Sequence, residues 1–178
     1  MSEQPSRYTR SFSGMTGALI VTVIAVLAFV AWRGLWRADV DDTVDTVDWQ
    51  ESVEIADRAD LDVVRPRELP AGWKATSTDL VAGDEPRWGM GVLTDDGTFV
   101  GLRQQDASVR DLVERYIDED AEPEGDATVD SEVTDTWQTW SDEGGDHGYS
   151  TEVGDDALLV YGSAPVEDIE TFIGLLTR

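Results

Sequence analysis

Residues 88–104 read WGMGVLTDDGTFVGLRQ. Two extended runs, Trp88 to Thr94 and Thr98 to Gln104, flank Asp95-Asp96-Gly97. Glycine accepts the positive φ that a tight reversal demands, so the pattern predicts a β-hairpin. A hairpin at the centre of the chain implies antiparallel pairing and sets how the neighbouring segments are read.

Upstream, Lys74 to Val81 is strand-like. Before it, Trp49, Val53, Ala56 and Val63 recur at helical spacing and predict a helix over about 49–64, ended by Pro66 and Pro70. The segment Arg65-Pro66-Arg67-Glu68-Leu69-Pro70-Ala71-Gly72-Trp73 then reads as an ordered turn presenting Trp73. Downstream, Val109, Leu112, Val113, Tyr116 and Ile117 fall at i, i+3, i+4, i+7 and i+8, which predicts an amphipathic helix. Ser108 and Asp111 have the form of a capping box at its start. Asp118 to Asp126 (DEDAEPEGD) closes it as an acidic loop.

Strands follow at Thr128–Val133, Thr136–Ser141, Tyr149–Val153 and Leu158–Gly162, parted by the turns 142–146 and 154–156. A last helix starts at Ser163-Ala164-Pro165, with a capping hydroxyl, Pro in the first turn and Glu167 and Asp168 at the positive dipole end. Its apolar face is Val166, Ile169, Phe172, Ile173 and Leu176. The expected domain is α+β: a mostly antiparallel sheet flanked by helices, α/β/α sandwich-like.

The N-terminal part differs in kind. Gly14 to Trp32 is nineteen residues without a charge. At about 1.5 Å per residue a helix of that length spans roughly 28 Å, near the hydrocarbon thickness of a bilayer. Trp32 and Trp36 stand at one end, where indoles favour the interface, and Arg33 and Arg37 can snorkel there. The apolar run exceeds that of a signal peptide, and Phe29-Val30-Ala31-Trp32 crowds the best cleavage position with bulky groups. The sequence therefore divides into a basic cytoplasmic tail (1–14), a transmembrane helix (15–36), an acidic linker (37–48) and an acidic soluble domain (49–178). Arg7, Arg10 and the amino terminus oppose Arg33 and Arg37 across the span. The expected orientation is N-terminus inside and domain outside, in the cell envelope. Gly14, Ala18 and Ala25 form a small-residue stripe that fits an ordinary lipid-facing span or helix packing.

Charge excludes whole classes of function. The chain holds 38 acidic and 13 basic residues, a net charge of -25. Residues 1–37 hold four arginines against Glu3, a net +3. The remainder has nine basic and 37 acidic residues, a net -28. Such a domain repels phosphate backbones, so nucleic-acid binding is ruled out. Acidity keeps a domain soluble; it also suits a basic or cationic partner. With no cysteine, disulfides, thiol catalysis and Cys-based metal sites are impossible.

A resemblance emerges from Arg65-Pro66-x-x-Leu69-Pro70-x-Gly72-Trp73 followed by Thr76-Ser77, then Trp137-Gln138, then Leu158-x-x-x-Gly162-x-Ala164 leading into Glu167-Asp168-Ile169. With the basic tail and single span, these resemble the actinobacterial single-pass membrane protein family known as domain of unknown function 4245. The resemblance implies no activity and no catalytic residue. The Pro-Gly-Trp start, antiparallel strands and closing helix are also similar to the Mog1/PsbP-like fold, an analogy without functional content.

His147 lies in Gly145-Asp146-His147-Gly148; Asp146 and Ser150 are near, but no nucleophile elbow surrounds the serine, and a turn histidine is expected. Asp39, Asp41, Asp42 and Asp45 lack the glycine and bidentate glutamate of a Ca2+ loop. Asp120-x-Glu122-x-Glu124-Gly125 reaches Ser131 where the glutamate should stand. Of Trp49, Trp73, Trp88, Trp137 and Trp140, most are expected to pack in the core. Trp137 and Trp140, three apart on a strand, point to opposite faces. Catalytic, metal and cofactor residues are none, and the ligand-binding residues are unassigned. The leading expectation is a non-enzymatic binding module of the cell envelope with an envelope protein partner, held to the lipid bilayer by its helix. The alternatives are a carboxylate-dependent envelope enzyme and a structural or assembly factor for a membrane complex.

Overall fold

The computed structural model describes residues 45–178. The tail, the apolar span with its small-residue stripe, and the linker up to residue 44 lie outside the described residues. Among those described, no helix is long and apolar enough to cross a membrane.

Among the described residues, three helices, α1 (Trp49–Arg58), α2 (Val109–Tyr116) and α3 (Val166–Gly174), accompany nine strands. These are β1 (Arg65–Pro66), β2 (Lys74–Val81), β3 (Arg87–Leu93), β4 (Phe99–Gln105), β5 (Glu122–Thr128), β6 (Thr136–Ser141), β7 (His147–Val153), β8 (Asp156–Gly162) and β9 (Leu176–Thr177). Seven strands form one antiparallel sheet in the order β2-β3-β4-β8-β7-β6-β5; β1 and β9 pair separately. The meander β2-β3-β4 meets the meander β5-β6-β7-β8 where β4 pairs with β8. The expected antiparallel α+β architecture is what the chain adopts.

Strand β8 shows why the sheet is covered on both faces. Leu158 and Val160 point to one side, Ala157, Leu159 and Tyr161 to the other, and all are buried. On the first side α1 and α3 supply Val53, Ala56, Ile169, Phe172 and Ile173 to the core beside Trp88, Met90 and Leu102. On the second, α2 supplies Leu112 and Val113 against Trp140 and Leu159. The result is three layers, helix-sheet-helix. Trp137 joins the first core and Trp140 the second, as their spacing requires. Their indole N–H groups donate to Thr134 O (3.1 Å) and Ser150 Oγ (2.8 Å).

Four local expectations are corrected. Helix α1 stops at Arg58, not near 64, because Asp60 takes a left-handed φ of 54°; Val63 is buried in extended chain instead. The segment 118–126, read as an acidic loop, contributes β5, while 129–135 is the connection. Pairing with β6 overrides the loop-like composition, and Pro123, the bulge at Pro123/Gly125 and the carboxylates suit an edge strand. Ser163 does not cap α3, whose N-cap is Pro165; its hydroxyl accepts from Phe99 N–H instead. Val47 and Asp48, read as linker, are tied to the domain. Val47 N–H donates to Ala75 O (2.9 Å), and the Asp48 carboxylate caps α1.

The segment between α1 and β1 is fastened by one amide. Buried Gln104 accepts from Val64 N–H (2.7 Å) and donates to Asp62 O and Asp156 Oδ2 (both 2.9 Å), while Trp88 Nε1–H donates to Val64 O (2.8 Å). These bonds satisfy backbone groups of Asp62 and Val64, which belong to no strand. At the far end of the chain, Glu132 accepts from Arg67 (2.7 Å) and from the Thr177 hydroxyl (2.6 Å), holding β9 in place.

Candidate functional site

Helix α2 packs over β7 and β8, and both other helices lie on the opposite face. On the β2-β3-β4 half of the second face, α2 reaches β4 through Tyr116, which lies over Arg103. Alternation and register decide what occupies it. Phe99, Gly101 and Arg103 share one face of β4. Across the ladder, Gly91 stands opposite Gly101 and Gly89 opposite Arg103. On the other flank Tyr161 stands opposite Gly101. Glycine inside a strand forfeits packing and backbone entropy, and its usual reason is a close approach by another group. Here that group is visible at each position. A Cβ on Gly101 would lie 2.6 Å from Tyr161 Cε1 and 3.0 Å from Phe99 Cε1; a Cβ on Gly89 would collide with the Arg103 guanidinium.

The side chains seated on this floor form a shallow aromatic and cationic patch. Tyr161 contacts Phe99 edge-on at 5.9 Å between centroids and Tyr116 of α2 at 5.6 Å. The Arg103 guanidinium carbon sits 4.9 Å from the Tyr116 ring centroid, a cation–π arrangement. Burial pushes the Tyr161 phenol above its ordinary pKa, partly offset by the Arg103 charge. Arg103 Nη1 donates to Leu102 O (3.0 Å), but Nε is buried with no hydrogen-bond partner. Asp79, in the same cross-strand row, is taken by Arg87 (3.2 Å). Sequence reasoning passed over this patch. The alternating Gly89, Gly91 and Gly101 were the signal that could have found it.

The residues singled out from sequence fall elsewhere. His147 opens β7, half-buried, paired with Ser141 and Gly162. Ser150, three residues on, faces the other way and holds Trp140, so the two are not brought together. Trp88, Trp137 and Trp140 are buried, whereas Trp73 is half-buried and stacks on Phe172 at 6.4 Å. Asp118, Asp120 and Glu122 meet Asp142 and Glu143 around an open cleft of about 760 Å³. Asp118, Asp120, Glu122 and Glu143 are exposed, and Asp142 is half-buried. A second hollow of about 480 Å³ lies among Trp49, Arg65, Arg67 and Thr177. Among the described residues no three His, Asp or Glu side chains are grouped to hold a metal.

A family model described as "Protein of unknown function (DUF4245)" matches residues 7–176. The chain belongs to this family. No curated protein matches it. Two solved structures are similar to part of the DUF4245 chain. One is the Pseudomonas aeruginosa MucA/MucB complex, at 16% identity and TM-score 0.38, covering 66% of this chain and 35% of that one. The other is MucB in complex with MucA(peri), at 17% identity and TM-score 0.37, covering 66% and 37%. The chain thus spans little more than a third of the chains it resembles.

Proposed function

We propose that this protein is a single-pass membrane protein whose C-terminal domain stands outside the cytoplasm and binds a protein partner of the cell envelope without catalysing a reaction. The observation that carries the binding reading is the cluster of half-buried Phe99, Tyr116 and Arg103 around the Tyr161 ring. Aromatic rings and arginine dominate interface energetics because they bury large rigid surface and keep a polar end. A shallow patch suits recognition, whereas chemistry needs converging groups in a water-excluding cleft. The membrane tether rests on the uncharged run Gly14–Trp32, and the orientation on the arginines at its two ends.

Crosslinking of the full-length chain in its native membranes tests the binding reading. A discrete adduct is expected for the wild type and is lost when Phe99 and Tyr116 are both replaced by alanine, with thermal melts confirming that the double variant folds. An adduct indifferent to that change contradicts it. The absence of native cysteine makes topology simple to test. A single Asp96→Cys substitution in the exposed β3–β4 turn is expected to react with a membrane-impermeant maleimide in intact cells. Reaction only after lysis would reverse the orientation.

A further inference from the structure

Resting on the binding reading above, we propose that the partner protein adds an extended segment of its own to the outer edge of β2. The seven-stranded sheet has two edges, β5 and β2. β5 is defended against pairing: Pro123 has no N–H, a bulge sits at Pro123/Gly125, and Glu122, Glu124 and Asp126 are exposed. The second half of β2 has no such device. Thr78-Asp79-Leu80-Val81 holds no proline, and its one charge, Asp79, is paired with Arg87 (3.2 Å). The register fixes where its backbone points. Thr94 N–H donates to Thr98 O (2.9 Å), so by alternation Val92, Met90 and Trp88 turn to β4, while Gly91, Gly89 and Arg87 turn to β2. Ser77, Asp79 and Val81 stand opposite those three, which leaves Thr78 and Leu80 directing N–H and C=O outward.

The bulge between Ala75 and Ser77 turns Ala75 outward as well, and there Val47 N–H already takes Ala75 O (2.9 Å). Beyond that point the outward amides and carbonyls of Thr78 and Leu80 have no hydrogen-bond partner among the described residues. The edge thus repeats donor and acceptor every second residue, a pattern that another extended backbone matches. Side chains and charge narrow the occupant. Leu80 is half-buried at the rim of the first core, so the incoming residues beside Thr78 and Leu80 are β-branched or aliphatic. The alternate residues stand beside Asp79 on the other face. Residues 45–178 carry 34 acidic side chains against nine basic ones, so those positions take Lys or Arg. A second copy of this chain brings the same negative charge to the pairing and does not fit.

The test is selection of displayed random heptapeptides on the purified full-length chain, followed by amide exchange of the complex and by binding to Leu80→Pro and Leu80→Ala. The expected consensus alternates Lys or Arg with β-branched or aliphatic residues and lacks proline. The selected peptide should slow exchange at the Thr78 and Leu80 amides by about tenfold or more, whereas both exchange freely in its absence. Proline at position 80 removes an outward N–H, which an edge strand tolerates, so Leu80→Pro should remain folded by thermal melt and bind about tenfold or more weakly. Leu80→Ala removes the same side chain but keeps that N–H, and should bind more tightly than Leu80→Pro. The exchange readout on the unsubstituted chain stands whether or not Leu80→Pro folds. A peptide that binds and leaves both amides unprotected would overturn strand addition while leaving the binding reading intact. Protection of both amides in the free chain would assign the edge to this chain itself or to a second copy, and would also overturn it. Enrichment of no sequence over a mock surface would overturn both.

Discussion

Replacing Gly101 by alanine tests the packing on which the patch depends. The added Cβ would lie 2.6 and 2.7 Å from Tyr161 Cε1 and Cζ and 3.0 Å from Phe99 Cε1. Carbon atoms settle at about 3.5–4.0 Å, so the rings must shift by roughly an ångström. Tyr161 is only 8% exposed and is wedged against Tyr116, so it has little room to yield. Overpacking of this kind costs about 1–3 kcal/mol. Alanine recovers about 0.5–1 kcal/mol of the strand penalty that glycine carries. The net expectation is a loss of roughly 0–2.5 kcal/mol, centred near 1 kcal/mol. Gly89→Ala is the matched control. Its Cβ meets the far end of the flexible Arg103 side chain, which swings away, so stability should stay within about 0.5 kcal/mol of wild type. Urea unfolding followed by the fluorescence of buried Trp88, Trp137 and Trp140 reports both. A Gly101→Ala variant more stable than wild type, or a larger loss for Gly89→Ala than for Gly101→Ala, would refute the account of the glycine floor.

Gln104→Leu should cost about 2–4 kcal/mol in the same assay, because it orphans the buried Val64 N–H and strips Asp62 O and Asp156 of a donor. Ser108→Ala should cost about 0.5–2 kcal/mol by removing the hydroxyl that caps Asp111 N–H at the start of α2. Glu132 is held below its ordinary pKa by the Thr177 hydroxyl and Arg67, so its contribution is full above that ordinary value and is lost as pH falls through its lowered one. Amide exchange at Leu176 and Thr177 should therefore accelerate in acid. Glu132→Gln should exchange rapidly at neutral pH and lose the acid dependence.

Which features the sequence reveals follows from where their causes lie. The β3–β4 hairpin is legible because its turn and strands are encoded in contiguous residues. The opposed faces of Trp137 and Trp140 follow from a spacing of three on a strand. The capping box at Ser108 is equally local, and both its bonds are present. Strand β5 is illegible because EPEGDAT carries loop residues, and only pairing with β6 makes it a strand. Helix α1 reads too long because Val63 keeps the helical period although the chain has already turned at Asp60. The Ser163 hydroxyl reads as a cap because Phe99, its partner, lies 64 residues away. The patch was hidden for the same reason. Gly89 and Gly101 acquire meaning only when the register brings Arg103 and Tyr161 across from them.

The central claim is that the cluster of Phe99, Tyr116 and Arg103 is the surface a partner covers. Site-specific photocrosslinking in native membranes tests it most directly, with the reactive side chain placed in turn at Tyr116, at Phe99, at Ile55 on the solvent side of α1 and at Gln138 on β6. The account predicts one shared partner adduct from Tyr116 and Phe99, abolished by Arg103→Gln in the same chain, and none from Ile55 or Gln138. An adduct from Ile55 or Gln138 with none from Tyr116 and Phe99 would contradict it.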